Sequence, residues 1–297
     1  MKTTNKIKTL LGAVLSLLTT FALTHSAAAQ TARIAFRAPV TDRKGQTTYQ
    51  VFAMYPDGSG TTQLTKNGGG WPSWSPDQKY LALQRGSTIY VIDAVKGEFK
   101  GGRIFPVVQA LTTGHDWSPD GTAILFTGTD AVGNGLWLVS VNPVNGAVGT
   151  PTMVRTGTYF GTPKFSPDGS KIAYASGAYV RVLDLTTQTE ITFPGNHSGS
   201  PSWSPDGTKI AFGGVVCYGS TTNCHMEVVI ANPDGTEWTP VTALQNYSAF
   251  PSWSPDGQQL VFYSQVSGSK AMYKTTIGSG TVTLLYNGSQ EGLDWTP

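Results

Sequence analysis

One short phrase recurs along the chain and restricts its fold more than any other feature. The phrase is an aromatic residue, a Ser-Pro-Asp turn and an apolar run, as in SPSWSPDGTKIAF at residues 200–212. Successive copies lie 38 to 50 residues apart, which is the length of a four-stranded propeller blade. The aromatic residues that anchor the copies are Trp74, Trp117, Phe165, Trp203, Trp253 and Trp295.

Each copy has the composition of four short strands. The anchor lies in the first strand, the turn leads into a second strand such as Ile210–Phe212, and two further apolar segments follow before the next copy. Long amphipathic helical patterns are absent. We therefore predict an all-β chain with very little helix.

The Ser-Pro-Asp-Gly turn has a chemical rationale. Proline fixes φ at the first central position, aspartate accepts hydrogen bonds from the backbone ahead, and glycine adopts the left-handed conformation without steric strain. Gln78 replaces the glycine in the first copy, so we expect a strained or reshaped turn there. Turn closure explains why polar residues recur in every copy, and we assign them no catalytic or metal-binding role. They are Ser75, Asp77, Ser118, Asp120, Ser166, Asp168, Ser204, Asp206, Ser254 and Asp256.

The two ends of the chain complete one another. Residues 32–36 match a second strand that has no anchor before it, whereas residues 291–297 contain an anchor that has no second strand after it. Together with residues 51–65, which supply the third and fourth strands, they make one blade. We therefore predict a six-bladed β-propeller that is closed by pairing of the C-terminal strand with the N-terminal blade.

The first 29 residues have the three parts of a secretory signal peptide. Lysines at positions 2, 6 and 8 precede an apolar run, and three alanines precede Gln30. The apolar run is shorter than the roughly 20 residues of a membrane span. We expect residues 1–29 to be cleaved, residues 30–297 to form the propeller, and no membrane span to remain.

Charge and cysteine content indicate the compartment and the class of partner. Residues 1–29 contain three lysines and no acidic residue, so their removal changes the net charge from +2 to −1, and we expect no nucleic-acid surface. Cys217 and Cys224 flank a loop of an exported chain. We expect a disulfide, because a metal or redox pair more often has the C-x-x-C spacing. The expected location is the bacterial periplasm or the medium.

The phrase W-S-P-D-G-x-x-I-A-F at this period resembles the repeat of the TolB-like β-propeller family. The resemblance extends from about Arg33 to Pro297, and it is more specific for fold than for function, because propellers host several kinds of activity. It implies a partner in the cell envelope, either a Pal-like lipoprotein or another envelope protein. The repeat begins soon after Gln30, so we expect the N-terminal α/β domain of TolB to be missing.

The loops before the anchors differ from one another, unlike the strands that they connect. We expect them to surround the mouth of the propeller on one face of the disc. An aromatic mouth with few charges suits a peptide surface or a sugar; the alternative for each side chain is packing against a neighbouring blade. The candidate binding residues are Trp71, His115, Asp116, Tyr159, Phe160, His197, Tyr247, Phe250, Glu291 and Asp294.

Motifs for catalysis are lacking in the sequence. It contains no G-x-S-x-G elbow, no H-E-x-x-H and no glycine-rich phosphate loop. A metal site built from His115, His197, Asp116 and Glu291 is disfavoured, since these residues lack metal-type spacing. We therefore predict a monomeric, non-catalytic propeller, without metal or other cofactor, that binds an envelope protein or peptide. The alternative is a propeller that binds or cleaves a polysaccharide in the same mouth.

Overall fold

The computed structural model describes residues 32–102, 104–109, 114–130, 133–157, 161–195, 200–266, 268–288 and 290–296. These residues form 25 strands, and no helix occurs among them. The first twelve strands are β1 (Ile34–Thr41), β2 (Thr47–Met54), β3 (Thr62–Gln63), β4 (Gly70–Trp74), β5 (Tyr80–Arg85), β6 (Thr88–Asp93), β7 (Ile104–Gln109), β8 (His115–Trp117), β9 (Ala123–Asp130), β10 (Gly133–Asn142), β11 (Ala147–Val148) and β12 (Thr152–Thr156). The others are β13 (Lys164–Phe165), β14 (Lys171–Ser176), β15 (Tyr179–Asp184), β16 (Glu190–Thr192), β17 (Ser202–Trp203), β18 (Ile210–Cys217), β19 (Cys224–Ala231), β20 (Thr239–Pro240), β21 (Ser248–Trp253), β22 (Gln259–Ser264), β23 (Ala271–Thr276), β24 (Val282–Asn287) and β25 (Gln290–Trp295).

The strands form six antiparallel sheets, and each sheet is one blade. Blade 1 contains β25, β1, β2 and β3 in that order, and blade 2 contains β4 to β7. Blade 3 contains β8 to β12, with both β11 and β12 paired to β10. Blades 4, 5 and 6 contain β13 to β16, β17 to β20 and β21 to β24. The prediction of an all-β, six-bladed propeller is confirmed.

Blade 1 joins the two ends of the chain. β25 pairs antiparallel with β1 and places Trp295 opposite Ile34. Just beyond this pair, the Thr296 N–H donates to the Arg33 carbonyl at 2.9 Å, and the Arg33 N–H donates to the Thr296 hydroxyl at 3.1 Å. These contacts connect residues that are 263 positions apart in the sequence. The predicted closure of the ring is therefore confirmed.

Apolar side chains fill the spaces between adjacent blades. The cluster between blades 2 and 3 contains Val91, Trp117 and Phe126, all of which are buried. The indole N–H of Trp117 donates to the carbonyl of Ser73 in the preceding blade at 3.1 Å. Two other anchors make the same bond, from Trp203 to Lys164 and from Trp253 to Ser202. The anchors therefore fix the spacing of the blades, and the core lies between the blades and not on the axis.

The Ser-Pro-Asp turns contain the same hydrogen bonds in five blades. In blade 5 the Ser204 hydroxyl donates to Asp206 at 2.6 Å and accepts the Lys209 N–H at 2.9 Å. Gln78 has a φ of 59° where the other copies have glycine, as expected for a strained turn. The Ser-to-Asp bond recurs in the turns of the other four blades, between Ser75 and Asp77, Ser118 and Asp120, Ser166 and Asp168, and Ser254 and Asp256. The structural role predicted for these residues is confirmed.

Candidate functional site

The channel along the propeller axis is bounded by the first strand of each blade. These inner strands contact one another in the order β4, β8, β13, β17, β21 and β25, and β25 also contacts β4. The residue directly before each anchor lies on the channel side, because side chains alternate along a strand and the anchors point between blades. These six residues are Ser73, Asp116, Lys164, Ser202, Ser252 and Asp294.

Lys164 crosses the axis and closes the channel. Its Nζ donates to Asp116 Oδ1 at 2.9 Å and to Asp294 Oδ1 at 3.0 Å. Asp116 belongs to the neighbouring blade 3, whereas Asp294 belongs to blade 1 on the opposite side of the ring. All three side chains are mostly buried. We call Asp116, Lys164 and Asp294 the channel plug, because they separate the channel into two ends.

The carboxylates of the plug are also held by neighbouring blades. Asp294 Oδ2 accepts the Trp74 N–H at 2.9 Å. Asp116 Oδ2 accepts the Phe165 N–H at 2.9 Å, and its Oδ1 accepts the Ser73 hydroxyl at 3.1 Å. Each carboxylate therefore bonds to an adjacent inner strand as well as to Lys164, so the plug is fixed in position.

Burial and charge oppose each other in the plug. Burial disfavours the charged form of Lys164, but the nearby Asp116 and Asp294 outweigh it and raise the pKa of the ammonium. Burial also raises the pKa of the Asp294 carboxyl; Asp116 adds to this effect, and Lys164 opposes it. Lys164 is thus the permanent cation of the plug, which has two carboxyl groups against one ammonium.

The end of the channel formed by the loops before the anchors is narrow and aromatic. Trp71 and Phe250 each lie three residues before an anchor, and their ring centroids are 5.7 Å apart. Gly292 of blade 1 lies close to Trp71, since an added Cβ on Gly292 would be only 3.0 Å from the Trp71 Cα. A cavity of about 30 Å³ borders both rings and the plug residues Lys164 and Asp294. We call this end, around Trp71 and Phe250, the mouth.

The two aromatic residues of the mouth have an unusual backbone conformation. Their φ angles are 52° for Trp71 and 56° for Phe250, a region that bulky residues rarely adopt. Each lies in a bulge of its inner strand, where the pairing register shifts. Such strain costs about 1–3 kcal/mol per residue and is concentrated at functional sites. The protein therefore keeps two large rings at the mouth although their backbone conformation destabilises the folded state.

The opposite end of the channel, between the Ser-Pro-Asp turns, is wider. A cavity of about 320 Å³ extends from the plug to the turns. Five tryptophan anchors, Phe165 and the prolines of five turns line its walls, and the plug residues line its floor. We call this cavity the vestibule. The channel thus has two separate ends of different size and composition.

The structure places four of the predicted site residues around the mouth cavity, namely Trp71, His115, Phe250 and Asp294. Two pairs of the predicted residues are in closer contact. The rings of Trp71 and Phe250 contact each other at the mouth with their planes tilted by 55°. Asp116 and Asp294 share Lys164 in the plug. Tyr247 is half-buried in the loop before β21, where its N–H donates to Asn246 Oδ1 at 2.9 Å. Three of the predicted residues, Tyr159, Phe160 and His197, lie outside the described residues. The backbone of Glu291 belongs to β25, but its side chain is likewise outside the described part.

His115 lies between blades 2 and 3 and borders the mouth cavity. Its side chain is 4% exposed, and neither ring nitrogen has a hydrogen-bonding partner among the described residues. Burial lowers the pKa of the imidazole to about 4; the Ala82 backbone opposes this shift, and the charge of Lys164 adds to it. The ring is therefore neutral at pH 7 and contributes to packing between blades.

Lys164 was missed by the reasoning from sequence. It belongs to no motif, and its importance depends on a column of the repeat that holds Ser, Asp, Lys, Ser, Ser and Asp in the six copies. The variation within this column, directly before a constant aromatic residue, was the available signal. A repeat position whose residue type changes beside a constant aromatic residue marks a place where the blades make different contacts.

The mouth side also carries the disulfide. Cys217 and Cys224 are bonded to each other and lie opposite one another at the end of the β18–β19 hairpin, so this prediction is confirmed. The described residues contain no cluster of three or more His, Cys, Asp or Glu placed to hold a metal ion. In the same part of the chain, no helix has the length and apolarity of a membrane span.

The fold and the channel define the class of this protein as a closed six-bladed propeller with irregular loops on one face and repeated turns on the other. The sequence matches the family model described as the TolB beta propeller domain over residues 140–296, which is more than half of the chain. The chain therefore belongs to the TolB β-propeller family.

Solved structures support this fold. TolB from Acinetobacter baumannii is 20% identical with a TM-score of 0.67, and the match covers 90% of this chain and 67% of that one. A TolB-type protein from Agrobacterium tumefaciens is 21% identical with a TM-score of 0.64, over 90% of this chain and 98% of the other. A chain of the nidogen/laminin complex is 8% identical with a TM-score of 0.65, over 89% and 98%. At these identities the similarity concerns the fold alone. No curated protein matches the sequence.

Proposed function

We propose that this protein is an exported, non-catalytic binding propeller of the bacterial cell envelope, which recognises a protein partner through the mouth. The observation that carries this proposal is the contact between the rings of Trp71 and Phe250, with both residues strained and half-buried. Strain of this kind is retained where it supports function. Large aromatic side chains are also the commonest anchors of protein interfaces.

The plug restricts how a partner can bind. Because Lys164 spans the axis, a partner segment can enter from the mouth only as far as the cavity of about 30 Å³. Most of the interface then lies on the surface around the aromatic pair. The hairpin that carries the Cys217–Cys224 disulfide is on the same face, and a crosslinked hairpin loses less entropy on binding than a free one.

Membership in the TolB β-propeller family supports an envelope partner such as a Pal-like lipoprotein. The features of residues 1–29 support export, and the disulfide is consistent with an oxidising compartment such as the periplasm. A lyase that uses His115 is disfavoured, since this imidazole is buried between blades and its pKa is lowered to about 4.

The test is a capture experiment from an envelope extract of the source bacterium, followed by mass spectrometry. The protein, its Trp71→Ala and Phe250→Ala variants and a Phe99→Ala control are compared. Phe99 is 57% exposed and lies in the connection between β6 and β7, outside the mouth. It is therefore a suitable control, because its replacement also removes an accessible aromatic ring. We expect one partner that is recovered with the unmodified protein and the control, but at least tenfold less with either mouth variant.

Two outcomes would contradict the proposal. One is a partner whose recovery is the same with all four proteins, because its binding would then not depend on the mouth. The other is the absence of any specific protein while a glycan array responds to the propeller. The release of ultraviolet-absorbing products from a uronate polymer would instead favour a polysaccharide lyase.

A further inference from the structure

The vestibule is a second cavity on the face opposite to the mouth. Its volume of about 320 Å³ falls at the lower end of the range of small-molecule sites, which is roughly 300–1,000 Å³. The plug forms its floor, so a ligand there would not reach the mouth. The plug therefore separates the vestibule from the surface that we propose for the protein partner.

The walls and the floor of the vestibule differ in chemistry. The walls are rings of tryptophan, phenylalanine and proline, and the charged residues in its described lining are Asp116, Lys164 and Asp294. Two carboxyl groups face one ammonium in this set, so the floor carries an excess negative charge at any pH above the pKa of the Asp294 carboxyl, which burial raises. Burial of the three side chains strengthens their field, because a low dielectric screens it little.

The rim of the vestibule is acidic as well. Each of the five Ser-Pro-Asp turns places one aspartate directly after a proline of the wall. Hydrogen bonds from Ser204 and Ser254 lower the pKa of Asp206 and Asp256, respectively, so these two carboxylates are ionised at neutral pH.

The lysines that follow three of the turns differ in their partners. Lys79 forms an ion pair of 3.5 Å with the rim residue Asp77, whereas the other two bond to acidic residues elsewhere. Lys171 donates to Asp184 at 2.6 Å, and Lys209 donates to Glu237 at 2.9 Å. Both lysines are thus paired with acidic residues that are not part of the vestibule lining. The negative field at the entrance to the vestibule therefore comes mainly from rim aspartates such as Asp206 and Asp256.

We infer that the vestibule binds an organic cation, an ammonium or guanidinium group on an apolar body. Tryptophan rings attract such cations, and the aromatic and proline walls bury the apolar part of the ligand. The carboxylates of the floor and rim complement the positive charge. Two sources have this chemistry, a free polyamine and a lysine or arginine side chain presented by a partner. This inference concerns the face opposite to the mouth and goes beyond the function proposed above.

The test is a titration of the purified protein followed by tryptophan fluorescence, because five of the wall residues are tryptophans. The probes are cadaverine, N-acetyl-lysine methylamide and its uncharged isostere N-acetyl-norleucine methylamide. We expect the cationic probes to bind, the norleucine derivative to bind at least tenfold more weakly, and added salt to weaken the cations alone. Tighter binding of cadaverine would identify a free polyamine as the ligand, and tighter binding of the lysine derivative would identify a basic side chain.

Variants at the floor, the rim and the mouth locate the site. Asp294→Asn retains an oxygen acceptor for the Trp74 N–H but removes one charge, and we expect about tenfold weaker binding of cations. The double variant Asp206→Asn and Asp256→Asn leaves the plug intact, and we expect about threefold weaker binding, because the rim is farther from the ligand. Trp71→Ala should leave the affinity unchanged. It therefore serves as the control for the mouth.

The inference is overturned if neither cationic probe binds at millimolar concentration, or if the norleucine derivative binds as tightly as its lysine counterpart. It is also overturned if the floor and rim variants both leave the affinity unchanged, or if Trp71→Ala abolishes binding. Failure of the envelope capture experiment would affect the proposed protein partner alone, since that experiment probes the mouth.

Discussion

At the turn end of the channel, five blades repeat one set of hydrogen bonds between serine, aspartate and the following backbone. At the mouth end, the positions three residues before the anchors hold tryptophan, glycine, threonine, serine, phenylalanine and glycine. Both ends are built by the same six inner strands. The turns repeat because five blades need the same connection between their first and second strands, whereas the mouth varies because its residues make contacts that differ from blade to blade. Departure from the repeat is thus a better guide to recognition than the repeat itself.

The plug lies between these two ends and belongs to both. Asp294 and Lys164 border the mouth cavity as well as the vestibule. The plug occupies a column of the repeat in which serine is the commonest residue, so three blades contribute a charged side chain where the others have a hydroxyl. Changes at the plug, the mouth and the turns therefore test whether the two ends are as different as their sequences indicate.

The largest loss of stability is expected from Lys164→Met. Without its ammonium, two mostly buried carboxyl groups face each other, and breaking a buried ion pair from one side costs about 3–5 kcal/mol. The measurement is the free energy of unfolding in denaturant. Lys171→Met is the matched control, because Lys171 also bonds to an aspartate, at 2.6 Å, but is more exposed. We expect the control to lose about 1 kcal/mol or less. Equal losses would show that the plug is an ordinary surface ion pair.

The second expected effect is a dependence of stability on pH that arises from His115. The pKa of the His115 imidazole is about 4 in the folded protein, whereas an ordinary imidazole, as in the unfolded chain, has a pKa of 6.5. Between these two pH values the unfolded chain therefore binds a proton that the folded chain does not. Stability is therefore lost as the pH falls from 6.5 to 4, by about 3 kcal/mol for this group. Below pH 4 the loss from His115 is complete.

The variant His115→Leu isolates this contribution. Blade 1 has Leu293 at the equivalent position, two residues before its anchor, so leucine is compatible with the repeat. Asp294 has the opposite sign, because burial raises its pKa in the folded protein. The informative quantity is therefore the difference between the unfolding free energies of the two proteins across this pH range. A difference that does not change between pH 6.5 and 4 would contradict the prediction.

A smaller effect is expected at the turns. Ser204→Ala removes the donor to Asp206 and the acceptor of the Lys209 N–H, which should cost about 1–2 kcal/mol. Thr208→Ala in the same turn removes one exposed hydrogen bond to Asp206 and should cost less. Neither change should alter partner capture, since the turns are on the face opposite to the mouth. Loss of capture with Ser204→Ala would show that the turns take part in recognition.

The smallest effect on stability is expected at the mouth, where the effect on binding is large. Trp71→Gly loses the contact with Phe250 but relieves the backbone strain at a φ of 52°. The relieved strain is about 1–3 kcal/mol and the lost contact is about 0.5–1.5 kcal/mol. The two contributions oppose each other, so the net change in stability is small. Trp71→Ala keeps the strain, so we expect it to be less stable than Trp71→Gly by about 1 kcal/mol. The opposite order in denaturant unfolding would mean that Trp71 is not strained.

The architecture was predictable because each copy of the repeat specifies its own blade. Trp203 and the Ser204 turn need only their own segment and the adjacent blade to form their contacts. The half-copies at the two ends, at residues 32–36 and 291–297, then implied the pairing of β25 with β1. Trp71 and Phe250 were predicted as mouth residues, but their mutual contact and positive φ angles were not, because these depend on how blades 2 and 6 meet around Gly292.

The sequence by itself determined the number of blades, the turns, the closure and the disulfide, because these rest on local patterns and on the count of repeats. Only the tertiary structure decided which residues meet at the axis. Lys164 and Asp294 are 130 positions apart and belong to opposite blades, and closure of the ring brings them within hydrogen-bonding distance. Closure of the ring likewise buries His115 and forms the vestibule beside the plug. A repeat pattern describes each blade alone, whereas the channel is a property of all six together.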